Sequence, residues 1–150
     1  MLALLLAAAI SVPAAEQTAI FTAAGFKLSR GAWRTDCDQQ DSGSYEPGSI
    51  EAFRDLNGDG RPEAVVTEGG TYCYGNTGAG FRLLTKLPSG KWKLLHQSQG
   101  IAEFLATRGV DRMPDMSVGG PGFCFPVLRW NGKAYVQNRY QYEGKACRPQ

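Results

Sequence analysis

Gly48-Ser49-Ile50-Glu51-Ala52-Phe53 is echoed 52 residues later by Gly100-Ile101-Ala102-Glu103-Phe104-Leu105. The same offset pairs Asp59 with Asp111, Pro62 with Pro114, Glu63 with Asp115, Val66 with Val118 and Gly70 with Gly122. A shift of one residue then sets Cys73-Tyr74 beside Cys124-Phe125. Each copy reads as an acidic loop, a short β segment, a glycine-rich turn and an aromatic strand bearing a cysteine. A hairpin follows each: residues 81–86 and 92–96 flank Ser89-Gly90, and residues 127–130 and 134–142 flank Asn131-Gly132, a strong turn dipeptide. The copies span about 48–97 and 100–142. Trp33 after Arg30-Gly31 echoes the pattern upstream, between predicted strands 26–29 and 33–36. Two copies and a fragment cannot close a propeller, which needs at least about four blades. The expectation is a mainly β domain over 16–150. It has two or three small antiparallel sheets shaped as incomplete propeller-like blades, a short N-terminal helix over Ala15–Gly25 and a polar loop over 38–48.

The chain has 150 residues with 19 Gly and 8 Pro, a length that suits one core and a composition that favours turns over long helices. A formal charge of +2 without a clustered basic stripe excludes a dedicated nucleic-acid binder. No charged side chain occurs in residues 1–15. The apolar run Leu2–Val12 is shorter than the roughly 20 residues of a membrane span and ends in small residues around Pro13-Ala14-Ala15, so residues 1–15 read as a signal peptide, without the usual basic start. Export places the mature chain in the periplasm or outside the cell, with no membrane span after cleavage. An even set of cysteines, Cys37, Cys73, Cys124 and Cys147, then favours two disulfides. Of the three connectivities, Cys37 with Cys73 and Cys124 with Cys147 close the shorter loops. No C-x-x-C pair occurs and His96 is the only histidine, which argues against zinc and redox motifs.

The chemistry-bearing stretch is Asp55-Leu56-Asn57-Gly58-Asp59-Gly60-Arg61-Pro62-Glu63. Alternating side-chain oxygens converge on a hard cation when the backbone coils around it; Gly60 permits the turn and the Arg61 carbonyl supplies a main-chain ligand. An EF-hand needs a bidentate Glu at the twelfth position, where this chain has Val66, so that motif fails. Residues 55–66 resemble instead the calcium loop of FG-GAP or VCBS repeats, the integrin-α-type D-x-D-x-D-G-x-x-D loop followed by a strand. The resemblance implies a Ca²⁺ site of Asp55, Asn57, Asp59, the Arg61 carbonyl and Glu63, with Asn57 and Glu63 standing where the family has Asp. In the second copy Thr107 and Gly109 replace the first two ligands, leaving Asp111 and Asp115 and an expectation of no metal.

Other features read as structural. His96 has no partners in sequence for a catalytic triad, and Val118–Gly122 precedes a β-like segment where a phosphate cradle needs a helix. The aromatic residues from Tyr72 to Tyr142 favour core over a glycan-stacking face, and Glu51 and Glu103 sit at equivalent repeat positions. The function expected is a calcium-binding, disulfide-stabilised secreted module that binds an envelope protein or glycan and performs no catalysis. The rival is a small envelope hydrolase or lysozyme-inhibitor-like protein acting through Asp41-Ser42-Gly43-Ser44-Tyr45.

Overall fold

The computed structural model describes residues 10–39 and 43–150; most of the predicted signal peptide, residues 1–9, lies outside them. The chain is mainly β. A short hairpin pairs β1 (Lys27–Ser29) with β2 (Ala32–Arg34). A four-stranded antiparallel sheet follows in chain order: β3 (Glu46–Arg54), β4 (Glu63–Gly69), β5 (Ala79–Lys86) and β6 (Trp92–Gln99). A five-stranded sheet repeats that meander with β7 (Ile101–Arg108), β8 (Pro114–Gly119), β9 (Phe125–Trp130) and β10 (Tyr135–Tyr142), and β11 (Lys145–Ala146) adds its edge. The two similar stretches quoted at the outset are thus the first strands of successive sheets.

The helix α1 spans Ala14–Ala23, following Pro13 and ending before Gly25, whose φ of 90° suits glycine. Its Ile20 and Phe21, with Ala24 just after it, pack against Ala64, Val66, Leu84 and Trp92 on one face of the four-stranded sheet. Glu16 fastens its first turn: it accepts from Trp92 Nε1 at 2.6 Å and pairs with Lys86 Nζ. A bulge at Glu51 lets both Ile50 and Phe53 reach that same face. The other face sends Val65, Phe81 and Leu83 into a second core with Met116, Val118, Trp130 and Tyr135 of the five-stranded sheet. The molecule is therefore a stack of helix and hairpin, sheet, and sheet.

Both disulfides follow the shorter-loop pairing, Cys37 with Cys73 and Cys124 with Cys147. Cys73 corrects one expectation, because Thr71–Tyr74 is a helical turn, α2, where an aromatic strand was expected. Gly70 and Gly75, at φ of 143° and 51°, break the extended chain on both sides of it. That turn delivers Tyr74 to Glu68. Glu68 is 2% exposed and accepts from Thr35 Oγ1 at 2.8 Å, Tyr45 Oη at 2.7 Å, Tyr74 Oη at 2.6 Å and Arg82 Nη1 at 3.1 Å. The Tyr74 ring occupies the space that a Cβ on Gly80 would need. Burial, then the bond to Glu68, pushes the Tyr74 and Tyr45 hydroxyl pKa values up.

His96 lies between the rings of Phe81 and Tyr135, at 5.9 and 6.0 Å between centroids, and its Nε2 is buried without a partner among the described residues. Burial holds its pKa below the ordinary value.

Two outcomes follow. Glu68→Ala leaves Arg82 buried without its anion and is expected to cost about 3–5 kcal/mol in urea unfolding, against about 1 kcal/mol for Tyr74→Phe, which loses one hydrogen bond. Because the unfolded chain protonates His96 first, wild type should lose stability relative to His96→Phe as pH falls from 7 to 5, checked by thermal melts across that range.

Candidate functional site

The loop joining β3 to β4 holds the residues singled out in sequence, and its shape is set by one carboxylate. Asp55 Oδ1 accepts backbone N–H groups of Asn57, Gly58 and Asp59 at 3.3, 2.8 and 3.3 Å, and Oδ2 accepts that of Gly60 at 2.8 Å. The chain is thereby wound around Asp55, with Gly58 and Gly60 at positive φ making the coil possible. These bonds, that from Gly60 foremost, hold the Asp55 pKa below the usual carboxylate range. Asn57 Oδ1 accepts from the Asp59 N–H at 3.3 Å. Asp59 turns to Arg61, accepting its backbone N–H at 2.8 Å and its Nη2 at 2.9 Å, while Arg61 Nε donates to the Lys86 carbonyl.

Glu63 differs from the rest in being 1% exposed. Its Oε1 accepts from the Leu56 N–H at 2.8 Å and its Oε2 from Thr85 Oγ1 at 2.7 Å. No Lys or Arg pairs with it among the described residues. Burial pushes its pKa up against those two bonds, and the charges of Asp59 and Asp55 push the same way. The loop thus contains a buried carboxylate in a field of two others. Among the described residues, no group of three or more His, Cys, Asp and Glu side chains is gathered as a metal cluster, since Asp55 faces its own N–H groups and Asp59 faces Arg61.

The corresponding segment of the second sheet leans on this loop. Asn57 Nδ2 donates to the Asp111 carbonyl at 3.3 Å, Arg112 Nη2 to the Gly58 carbonyl at 3.3 Å and Arg108 Nη1 to the Leu56 carbonyl at 2.8 Å. A cleft of ≈ 540 Å³ between the two is lined by Asn57, Asp59, Arg61 and Arg112 among others. Asp115 lies apart, on the opposite face of the five-stranded sheet. It is 0% exposed and accepts from Thr107 Oγ1 at 2.6 Å, Arg129 Nε and Nη2 at 2.9 and 2.8 Å, and Arg139 Nη1 at 2.9 Å. Arg129 first, helped by Thr107 and Arg139, holds its pKa far below the carboxylate range.

The loop invoked for the rival function is partly outside the described residues, at 41–42. Its described end is structural: Ser44 hydrogen-bonds Thr71, and Tyr45 is committed to Glu68 and to the Thr35 N–H.

Sequence reasoning did not pick out Arg82 or Glu68. Their signal was an ionic residue set inside each of two apolar stretches, Phe81-Arg82-Leu83-Leu84 of β5 and residues 64–69 of β4. The chain matches no family model, no curated protein and no solved structure.

One result isolates Glu63. Its folded-state pKa is raised, so the unfolded chain gives up the proton first and stability is lost as pH rises above the ordinary value of 4.5. Glu63→Gln should therefore gain on wild type between pH 4 and pH 7 in calcium-free urea titrations.

Proposed function

We propose that this chain is an exported, non-catalytic β module of the FG-GAP or VCBS kind, built from two copies of a unit of about 52 residues. It binds a protein or glycan of the cell envelope, and Ca²⁺ at the 55–63 loop braces it. The observation that carries this reading is Glu63, a buried carboxylate in the field of Asp55 and Asp59 with no cationic side chain among the described residues to offset it. The donors suit a hard cation: Asp55, Asn57, Asp59, Glu63 and the Arg61 carbonyl offer only oxygen. Binding would require Asp59 to leave Arg61, a pair whose side chains are 25% and 38% exposed and which gives up little when it opens. Ca²⁺ would supply no chemistry beyond charge neutralisation and cross-linking of the loop.

Location has coarser support. Two disulfides, with no helix among the described residues long and apolar enough to cross a membrane, are compatible with a periplasmic or extracellular protein. Each disulfide stabilises by roughly 3–4 kcal/mol through restriction of the unfolded chain, an arrangement that persists in an oxidising compartment.

The test is a thermal melt with EDTA and with increasing Ca²⁺, paired with calorimetric titration. Saturation at a hundred times the dissociation constant should stabilise by about 2.7 kcal/mol. Asp59→Ala and Glu63→Gln should abolish that response and Asp111→Ala should keep it. A melt indifferent to Ca²⁺ and EDTA would show that the loop is closed by its own hydrogen bonds alone.

A further inference from the structure

The stack of sheets is open beside β7. That strand ends the five-stranded sheet, and its residues 101–104 pair on one side only, with residues 116–119 of β8. On that side of the molecule a groove of ≈ 480 Å³ enters between the sheets, walled by β3, β4 and the start of β5 above and by the first residues of β7 below. No residue of β8 lines it, so it lies on the free side of β7, in the place that a further strand of the same sheet would take. On that side the backbone of residues 101–104 makes no hydrogen bond among the described residues. Val65, Phe81 and Ala102 give the groove an apolar floor. Its charge is of one sign: Glu46 and Glu51 stand on the β3 wall, no Lys or Arg lines the groove, and neither acid has a cationic partner among the described residues. The one hydrogen bond to these two carboxylates there is from Thr67 Oγ1 to Glu51 Oε1, at 3.2 Å. Since Ala102 packs against the core, strand alternation turns Ile101 to the other face, where it is 67% exposed.

We propose that this groove takes an extended, basic segment of a partner protein as an added strand beside β7. Its main chain pairs with the free N–H and C=O groups of residues 101–104. Alternate side chains turn inward, where a lysine or arginine lays its apolar stem over Val65 and carries its charge to Glu46 and Glu51. The others turn outward, where a β-branched residue covers Ile101 as a cross-strand neighbour. Charge at a sheet edge deters indiscriminate pairing, and charge of one sign repels acidic strands while admitting basic ones. The proposal rests on the reading of the chain as a binding module and not on calcium, so its test is run in EDTA: failure there leaves the calcium melts standing, and a melt indifferent to calcium leaves the groove standing.

The full chain is titrated with a capped hexapeptide alternating Lys and Val, followed by calorimetry and by NMR amide shifts and hydrogen exchange. Binding should be saturable and should slow exchange of amides within residues 101–104. The double variant Glu46→Gln, Glu51→Gln should weaken the peptide by about tenfold or more, and Glu143→Gln, in the turn between β10 and β11, should change nothing. A hexapeptide alternating Glu and Val should not bind, and N-methylation of alternate residues of the Lys-Val peptide, which removes main-chain donors while keeping its charge, should abolish binding. Absence of saturable binding by folded wild type, or equal binding by the double variant, would overturn the site. Equal binding of the N-methylated peptide would overturn the added strand. Self-association of wild type in sedimentation runs, lost in the double variant, would give the groove to a second copy of this chain and overturn its assignment to a partner.

Discussion

The Glu68 carboxylate is the point on which the arrangement of the amino-terminal half depends. It is buried at the end of β4 and takes donors from four separate pieces of chain: Thr35 after the hairpin, Tyr45 before β3, Tyr74 in the α2 turn and Arg82 in β5. A buried charge is tolerated only when its lone pairs are satisfied, so each of those segments is held in place by the same requirement. The Cys37–Cys73 disulfide ties two of them again by a covalent route. The same convergence, with the Phe26 ring 4.7 Å from its guanidinium carbon, fixes the orientation of Arg82.

The 55–63 loop solves a related problem with different means. Its backbone N–H groups turn inward to one exposed carboxylate, Asp55, and its one buried carboxylate, Glu63, has a hydroxyl and an N–H but no cation among the described residues. Glu68 and Asp115, by contrast, each face arginine. Among these three acids of β4 and β8, Glu63 alone has its charge left to burial, and its pKa is raised where that of Asp115 is lowered.

Much of this fold can be read in the residues. Gly25 stops the helix, Asn131-Gly132 makes the β9–β10 hairpin, and the disulfides take the shorter loops. The strand character of β3 and β7 is inscribed in their mutual likeness. The network around Glu68 was not legible, since no local pattern says that Thr35, Tyr45, Tyr74 and Arg82 meet. Nor was the helical turn at Tyr72-Cys73-Tyr74, whose aromatic composition favours strand and is overridden by flanking glycines and the demand of Glu68 for a hydroxyl. For the 55–63 loop, spacing names the oxygens but does not tell which of them the backbone claims first.

The roof over Asp115 bears on how the molecule behaves in solution. Asp115 and Ser117 project from β8 away from the inter-sheet core, onto a face where Ile101 and Val136 are exposed. Where a further layer would demand oil, this face has two guanidiniums, 38% and 32% exposed, laid across a carboxylate. Such a surface is wetted, and it breaks up the contiguous apolar area that drives chains to associate. The end of the stack is thereby finished with charge.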